Sequence, residues 1–444
     1  MASSSASHDG EAVEEPKVHP RDAPLDSNKV SSSDNNAVTS GSEADVEKQP
    51  PAAAPAFDPA AGWDGPGDPE NPRNFSTLKK MGISIVVSIL VWVATFDSSV
   101  LSPASRSLVS EFGISREVSI LSTSLFVLGF AFGPVFFGPA SEALGRKKPL
   151  AFGMFMFAIF IIPVAVAKNA ATIFVCRFLG GSLAAGGILA DLYDPITRGI
   201  AVAAFALATF LGPVLGPIIG GFLTMNAPGW RWTQWLALIV AFTIALVFTV
   251  LVPETSAPIL LARRAEKRRK LDPNTTNNIP EKKPLDFKRM VNVYVLKPWI
   301  MLVLEPILAL MTIYLSFVYG FLYLCFVAFP ISFQQERGWN LGVGALPFIA
   351  VTVGVFFGVA VIIWHTKTRM VRIMAEKGEV SPEERMIPMM LGSVSMPIGM
   401  FWFAWTSNPN ISWVPQVISG SFIGFGILLI FLQVCLRVFY AATS

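Results

Sequence analysis

The sequence predicts an all-α integral membrane protein. Three observations carry this. Of its 444 residues, 52% are hydrophobic and only 15% charged, where a soluble chain carries about 25% charged residues. The apolar residues gather in runs of about 20, the length that crosses a bilayer as a helix. Lys and Arg cluster in every second connection between those runs, as in loops held on one side of a membrane. The mean hydropathy of +0.54 understates the contrast, because the start of the chain is polar. The composition excludes a soluble enzyme, a secreted disulfide scaffold and a disordered regulator. The net charge of +3 does not point to nucleic acid. Cys176, Cys325 and Cys435 all lie inside apolar runs, and His8, His19 and His365 are scattered, so neither a disulfide framework nor a metal site is expected.

Residues 1–75 are read as a cytosolic tail. The opening MASSSASHDGEAVEEPK has no charged start followed by an apolar stretch, so it is not a signal peptide. The tail is too poor in apolar residues to offset its ordering entropy and is expected to be disordered. A plain tail and a phosphorylated trafficking tail both fit its serines. The segment Trp63–Asn74, WDGPGDPENPRN, is broken by Pro and Gly. It serves either as a linker or as a cap on the cytosolic mouth of a bundle.

Residues 76–252 hold a first bundle of six spans, near 81–102, 117–138, 149–167, 171–190, 199–224 and 232–252. Residues 253–298 form a basic cytosolic linker containing NTTNNIPEKKP. Residues 299–444 hold a second bundle with spans near 299–330, 342–365, 387–405 and 412–437. Each run is apolar all round, unlike a surface helix. The stretch 299–330 is too long for one straight span and is expected to include an interfacial end. The basic groups Lys79–Lys80, Arg146–Lys148, Arg198, Arg263–Lys270 and Lys367–Lys377 fall in alternate loops, which puts the N-terminus in the cytosol. Of the sequons at Asn74, Asn274 and Asn410, only Asn410 is expected outside, as the glycosylation candidate. Its closeness to Trp405 and Trp413, read as interface anchors, weighs against modification.

Two stretches carry chemistry. Between spans two and three, Gly138-Pro-Ala-Ser-Glu142-Ala-Leu-Gly145-Arg146-Lys-Lys brackets an acid with glycines that let the chain turn. Glu142 can meet a helix N-terminus or a basic side chain, and Arg146 can pair with an acid across the bundle, so the loop reads as a gate. Within span five, Gly212-Pro-Val-Leu-Gly216-Pro217-Ile-Ile-Gly220-Gly221 combines glycines four apart, which allow close packing, with prolines that remove backbone donors.

With GPASEALGRKK, GPVLGPIIGG and the six-plus-remainder layout, the chain resembles the major facilitator superfamily. DPENPRNFS, LSPA, FVLGFAFGP, RFLGG, GWRW, VPET, LEPI and YGFLYL are similar to its fungal drug/proton antiporter branch, which includes multidrug, polyamine and toxin exporters. The resemblance covers residues 63–437. It implies two bundles around a central cavity, alternating access, a proton gradient in place of any cofactor, and a small organic substrate. It marks Gly138, Glu142, Gly145 and Arg146 as the gating loop and Arg177 as the buried arginine linked to proton coupling. It marks Gly212, Gly216, Pro217, Gly220 and Gly221 as the antiporter helix.

The residues themselves add expectations. A charge at membrane depth costs about 2.5–3.5 kcal/mol on insertion scales. Arg177 is therefore expected to face the interior or water and to need a partner. Asp97, near the outer part of span one, is costly for the same reason and is the leading proton- or cation-binding candidate. A carboxylate wetted at a helix end is its rival reading. Glu305 is a further proton-coupling candidate, with an interfacial structural role as the alternative, and Asp191 is expected to pair with Arg198. Phe317, Tyr319 and Tyr323 are candidate walls of a cavity for planar or amphipathic compounds. The spans lack the acids a polycation would need, so polyamines rank lower.

Two departures from the family stand out. Span four, RFLGGSLAAGGILADLY, is shorter than usual between its two portions, and the chain ends after about ten spans where the family has twelve. The second bundle is then expected to hold four helices with one side uncovered. A gene-model error at splice sites or a truncated carrier would explain both. The truncation favours, as an alternative to export, a non-transporting sensor or a degenerate paralogue. No paired carboxylates, nucleophile–His arrangement or metal motif supports a membrane enzyme.

Overall fold

A computed structural model describes residues 63, 67–184, 192–193, 195–226, 229–271, 292, 296–377 and 382–441. Contacts divide the chain into Met1–Ala56, all outside the described residues, and Phe57–Ser444, the unit that follows. The expectations for the tail, for Asp191 and its pairing, for the sequon at Asn274 and for the Cys435 side chain fall outside what is described.

The described residues form helices α1 (Thr77–Val100), α2 (Ser105–Phe112), α3 (Arg116–Leu144), α4 (Lys147–Ala165), α5 (Ala170–Leu183), α6 (Pro195–Met225) and α7 (Arg231–Leu251). After these come α8 (Ala257–Leu271), α9 (Lys297–Leu304), α10 (Pro306–Phe329), α11 (Phe348–His365), α12 (Val371–Lys377), α13 (Met386–Trp405) and α14 (Trp413–Ala441). Nine stretches among the described residues are long and apolar enough to cross a membrane, and α5 is a shorter apolar helix. The chain is a multi-pass membrane protein. Below, the tail face is the side where α1 begins, and the far face is the side where it ends.

Local chemistry sets the boundaries. Ser76, Ser115 and Asn169 cap α1, α3 and α5 by accepting from backbone N–H groups three residues on. The long run at 299–330 breaks at Glu305, whose extended backbone separates α9 from α10 and is followed by Pro306. α3 runs to Leu144, well beyond the expected end near residue 138, because Pro134 and Pro139 are absorbed inside the helix. The gating loop shrinks to a turn at Gly145.

Two cores organise the molecule. The first joins Val87 and Leu90 of α1, Phe126 of α3, Phe157 of α4 and Ala237, Ala241 and Ala245 of α7. The second joins Phe326 and Phe329 of α10, Val351 and Val355 of α11, Met396 of α13 and Ile427 of α14. Helix α6 serves both: Phe205 and Leu215 pack on the first core, Phe210 and Val214 belong to the second. Outward faces carry exposed Phe136, Phe152, Val250, Val303 and Trp405, a surface suited to lipid rather than water. Because lipid is as apolar as these side chains, helix association rests on close backbone approach. A Cβ on Gly212, Gly216 or Gly220 would strike Thr95, Ser99 or the Val100 carbonyl of α1.

Residues 67–74 dock onto α8 through Asp68 and Glu70, which both meet Arg264. Trp63 is buried, Asn71 caps the turn Pro72–Asn74, and the Asn74 side chain donates to the Asp68 carbonyl at 2.9 Å. The buried Asp68 carboxylate accepts from the Glu70 backbone N–H at 2.9 Å and pairs with Arg264 of α8.

Candidate functional site

The far-face end of α1 is buried all round, and three consecutive residues there reach three different neighbours. Helical residues are spaced by about 100° (3.6 per turn), so a run of three covers most of the circumference. Asp97 faces α5 and α7, Ser98 faces α10, and Ser99 faces α6.

Asp97 and Arg177 are each 1% exposed and form an ion pair at 3.0 Å. Asp97 lies in the last turn of α1, where the helix dipole disfavours a negative charge, which adds to its need for a cation. Arg177 Nη2 donates to the Ser98 carbonyl at 3.0 Å and Nε to the Ser122 carbonyl of α3 at 2.9 Å. Its guanidinium carbon lies 4.4 Å from the centre of the Phe126 ring. One arginine thus ties α1, α3 and α5 together. Gln234 of α7, fully buried, donates from Nε2 to Asp97 Oδ1 at 3.3 Å, while its Oε1 has no hydrogen-bond partner among the described residues.

The cluster reaches the second bundle through hydroxyls: Ser98 Oγ and the Tyr323 hydroxyl of α10 are 3.1 Å apart. Tyr323 packs on Tyr319 with ring centres 5.3 Å apart, and Tyr319 stacks on Phe431 of α14 at 5.8 Å. Phe317, on the same helix, is instead 64% exposed on the outer surface, because six residues at about 100° each turn it roughly 120° away from Tyr323. It does not line the interior as expected.

A cleft of about 120 Å³ opens from the far face between the bundles. Ser102, Ser105, Ser119 and Thr123 line it, and Ser122 and Tyr323, both in contact with the cluster, form part of its lining. Its volume is below that of a drug-sized pocket, roughly 300 Å³ or more. A larger groove of about 870 Å³ between α11, α13 and α14 is almost wholly apolar and has nothing to orient a ligand.

The α6 motif is explained by its neighbours. Pro217 has no N–H, so the Pro213 carbonyl four residues earlier lacks its helical donor. Ser99 Oγ donates to that carbonyl at 2.9 Å. The proline thus opens a bonding position that α1 fills. Gly221 faces the opposite way, against the Leu341 carbonyl of the second bundle.

At the tail face, Gly145 adopts φ +91°, and a Cβ there would strike the Glu254 carboxylate. Glu254, following α7, accepts from the backbone N–H groups of Arg146 at 2.8 Å, Lys147 at 3.3 Å, Thr255 at 3.0 Å and Ser256 at 3.1 Å. The acid at the N-terminus of α4 is therefore Glu254, not Glu142, which is exposed on the outer side of α3. The Arg146 guanidinium donates to Ser141 Oγ at 2.7 Å, and Ser141 Oγ donates to the Gly138 carbonyl at 2.7 Å.

Glu305 stands apart, exposed at the α9–α10 break and without an ion pair among the described residues. Asn410 is exposed in the α13–α14 connection, which Arg337 braces by donating to the carbonyls of Thr406, Asn408 and Ile411. Gln234 and Ser98 complete the site without being singled out by the sequence, and Glu254 lies in the VPET stretch without a role having been read for it. Gln234 lies in an apolar run, where a buried amide is costly unless bonded, and that cost is the signal that could have found it.

Two helix bundles, joined along α1, α6 and α10 around a buried ion pair, define a membrane carrier. Residues 87–443 match the family model of the Major Facilitator Superfamily, and the chain belongs to that family. It is 58% identical over 404 residues to the MFS-type transporter traF of Penicillium crustosum, covering 90% of this chain and 81% of that one. It is 45% identical over 394 residues to the citrinin biosynthesis cluster MFS transporter of Monascus ruber, covering 84% and 76%. Identity to the cercosporin MFS transporter of Cercospora nicotianae is 41% over 379 residues, covering 84% and 74%. Among solved structures, a proton:xylose symporter shares the fold with a TM-score of 0.58 at 18% identity, covering 82% of each chain. The chain is thus a transporter of the type found in fungal secondary-metabolite clusters.

Proposed function

We propose that the chain exports a planar or amphipathic organic compound in exchange for protons, by alternating access, with its N-terminus in the cytosol of a fungal cell and the far face outside. The observation that carries this is the buried Asp97–Arg177 pair, bonded through Ser98 to Tyr323 of the second bundle. While Asp97 is charged it holds Arg177. Once Asp97 takes a proton, entering along the hydroxyl-lined cleft, that hold weakens. Arg177 also grips the Ser98 carbonyl, so the change is felt where the two bundles touch. The proton gradient supplies the driving force, and no cofactor is invoked. Glu305 takes no part in this reading. Gly145, Arg146 and Glu254 act as the cytosolic gate, and α6 is the seam along which the bundles move.

The Tyr319, Tyr323 and Phe431 rings favour aromatic compounds, and the names of the relatives point to fungal metabolites such as citrinin and cercosporin. The cell membrane is the site of action in this reading. Yeast cells expressing the chain and loaded with citrinin or cercosporin should expel at least one of them, and a protonophore should stop the efflux. Asp97→Asn should abolish it while the protein stays in the membrane. Export at normal rates by that variant would sink the proton-site assignment. Binding of these compounds without flux would assign the chain as a sensor.

A further inference from the structure

Gln234 has a feature that the ion pair does not require. Its Nε2 is bonded to Asp97, yet its Oε1 is buried with no donor among the described residues, and a buried amide acceptor left unpaired is unfavourable. The unpaired atom belongs to the same amide that touches the carboxylate, bonded to the same carbon as the atom in contact. Rotating the amide by 180° about its last side-chain bond exchanges the two. We infer that Gln234 is a positioning residue that follows the protonation of Asp97. With Asp97 charged, Nε2–H donates to Oδ1. When a proton from the outer cleft bonds to Oδ1, the amide turns over and Oε1 accepts the new O–H. Both forms of the acid then keep a partner on α7, so Arg177 can loosen without leaving Asp97 unsatisfied. The inference rests on the reading of Asp97 as the proton site.

The surroundings leave this role to Gln234. Arg177 from α5 is the charged group facing Asp97, and Tyr323 from α10 is the nearby titratable group, reached through Ser98. α3 contributes the Ser122 carbonyl, and α6 contributes Gly212 and Pro213, none of which titrates. Among the described residues no second acid contacts the pair.

The test is infrared difference spectroscopy of the full chain in liposomes, titrated between acid and alkaline pH with no substrate present. The wild type should show the carbonyl band of a protonated carboxylic acid, and Asp97→Asn should remove it. The same spectra should hold a side-chain amide carbonyl band that moves to lower frequency on protonation, as a carbonyl does on accepting a hydrogen bond. That amide pair should vanish in both Gln234→Leu and Asp97→Asn. The carboxylate loses a charge-assisted bond in Gln234→Leu, a stronger one than the neutral acid loses. The acid band of that variant should therefore titrate at higher pH, by up to about tenfold in proton affinity. Gln234→Met, of similar volume, serves where Leu fails to fold. An unchanged amide pair and midpoint in Gln234→Leu or Gln234→Met overturns the role of Gln234 and leaves the proton site standing. An acid band that persists in Asp97→Asn, or no band in the wild type, overturns the proton site and this inference with it.

Discussion

Replacing Arg177 by methionine keeps most of the side-chain volume and removes the cation. The guanidinium makes three hydrogen bonds of 2.9–3.0 Å, to Asp97, Ser98 and Ser122, at 1% exposure. Its loss strands Asp97 without a counter-charge, and removing one partner of a buried pair costs about 3–5 kcal/mol. A separate route gives a similar figure. If Asp97 escapes by taking a proton, holding an acid neutral at pH 7 that ordinarily titrates about three units lower costs roughly 4 kcal/mol, at ~1.36 kcal/mol per unit. At about 2–4 °C per kcal/mol, the melting temperature in detergent should fall by roughly 10 °C. Adding Asp97→Asn removes the stranded charge and should recover more than half of the loss, although transport stays absent. The assay is thermal unfolding of the four proteins, wild type, both single variants and the double variant, at pH 7. The reasoning fails if Arg177→Met and the double variant melt together, because Asp97 would then not be a stranded charge once the cation is gone.

Two further outcomes follow from the seams. Gly216→Leu places a branched side chain against Ser99 and the Phe96 carbonyl, an overpacking worth at least about 1–3 kcal/mol. It should lower folded yield by size-exclusion chromatography, whereas Gly320→Ala, with open space around it, should be neutral. Glu254→Ala strips four backbone N–H groups of their acceptor and should cost about 1–2 kcal/mol, as the loss of a helix cap does. Glu254→Gln, which keeps an acceptor oxygen, should lose less in the same melt, and equal losses would refute the capping role.

The helices were legible because lipid imposes one rule on long stretches, and apolar runs of about twenty residues obey it. The break at Glu305 was foreshadowed by a run too long for one span, but its position depended on Pro306. That Arg177 and Asp97 each needed an interior setting was legible, because a charge in a span is costly; that they are each other's partner came only from the structure. Which partner Glu254 takes was not legible. Whether an acid meets a helix N-terminus depends on how α7 and α4 end in space, and Glu142 satisfied the same local pattern from the wrong side of α3. Phe317 and Tyr323 look alike in an aromatic run, and only the rotation of α10 separates the lipid-facing ring from the buried one. Gln234 gives no spacing to read, and only the cost of burying a lone amide in an apolar helix marks it.

The clasp between Asp68 and Arg264 joins residues 196 positions apart. It ties the strand of chain leading into the first bundle to the helix leading out of it, so that bundle is closed upon itself. A cut in the backbone between residues 272 and 291 would sever none of the contacts made by α1 to α8 or by α9 to α14. What peptide continuity supplies there is proximity, an effective concentration that holds two folded partners together. Helix α6 lends Phe210 and Val214 to the second core, so the two parts meet as partners across a shared apolar interface.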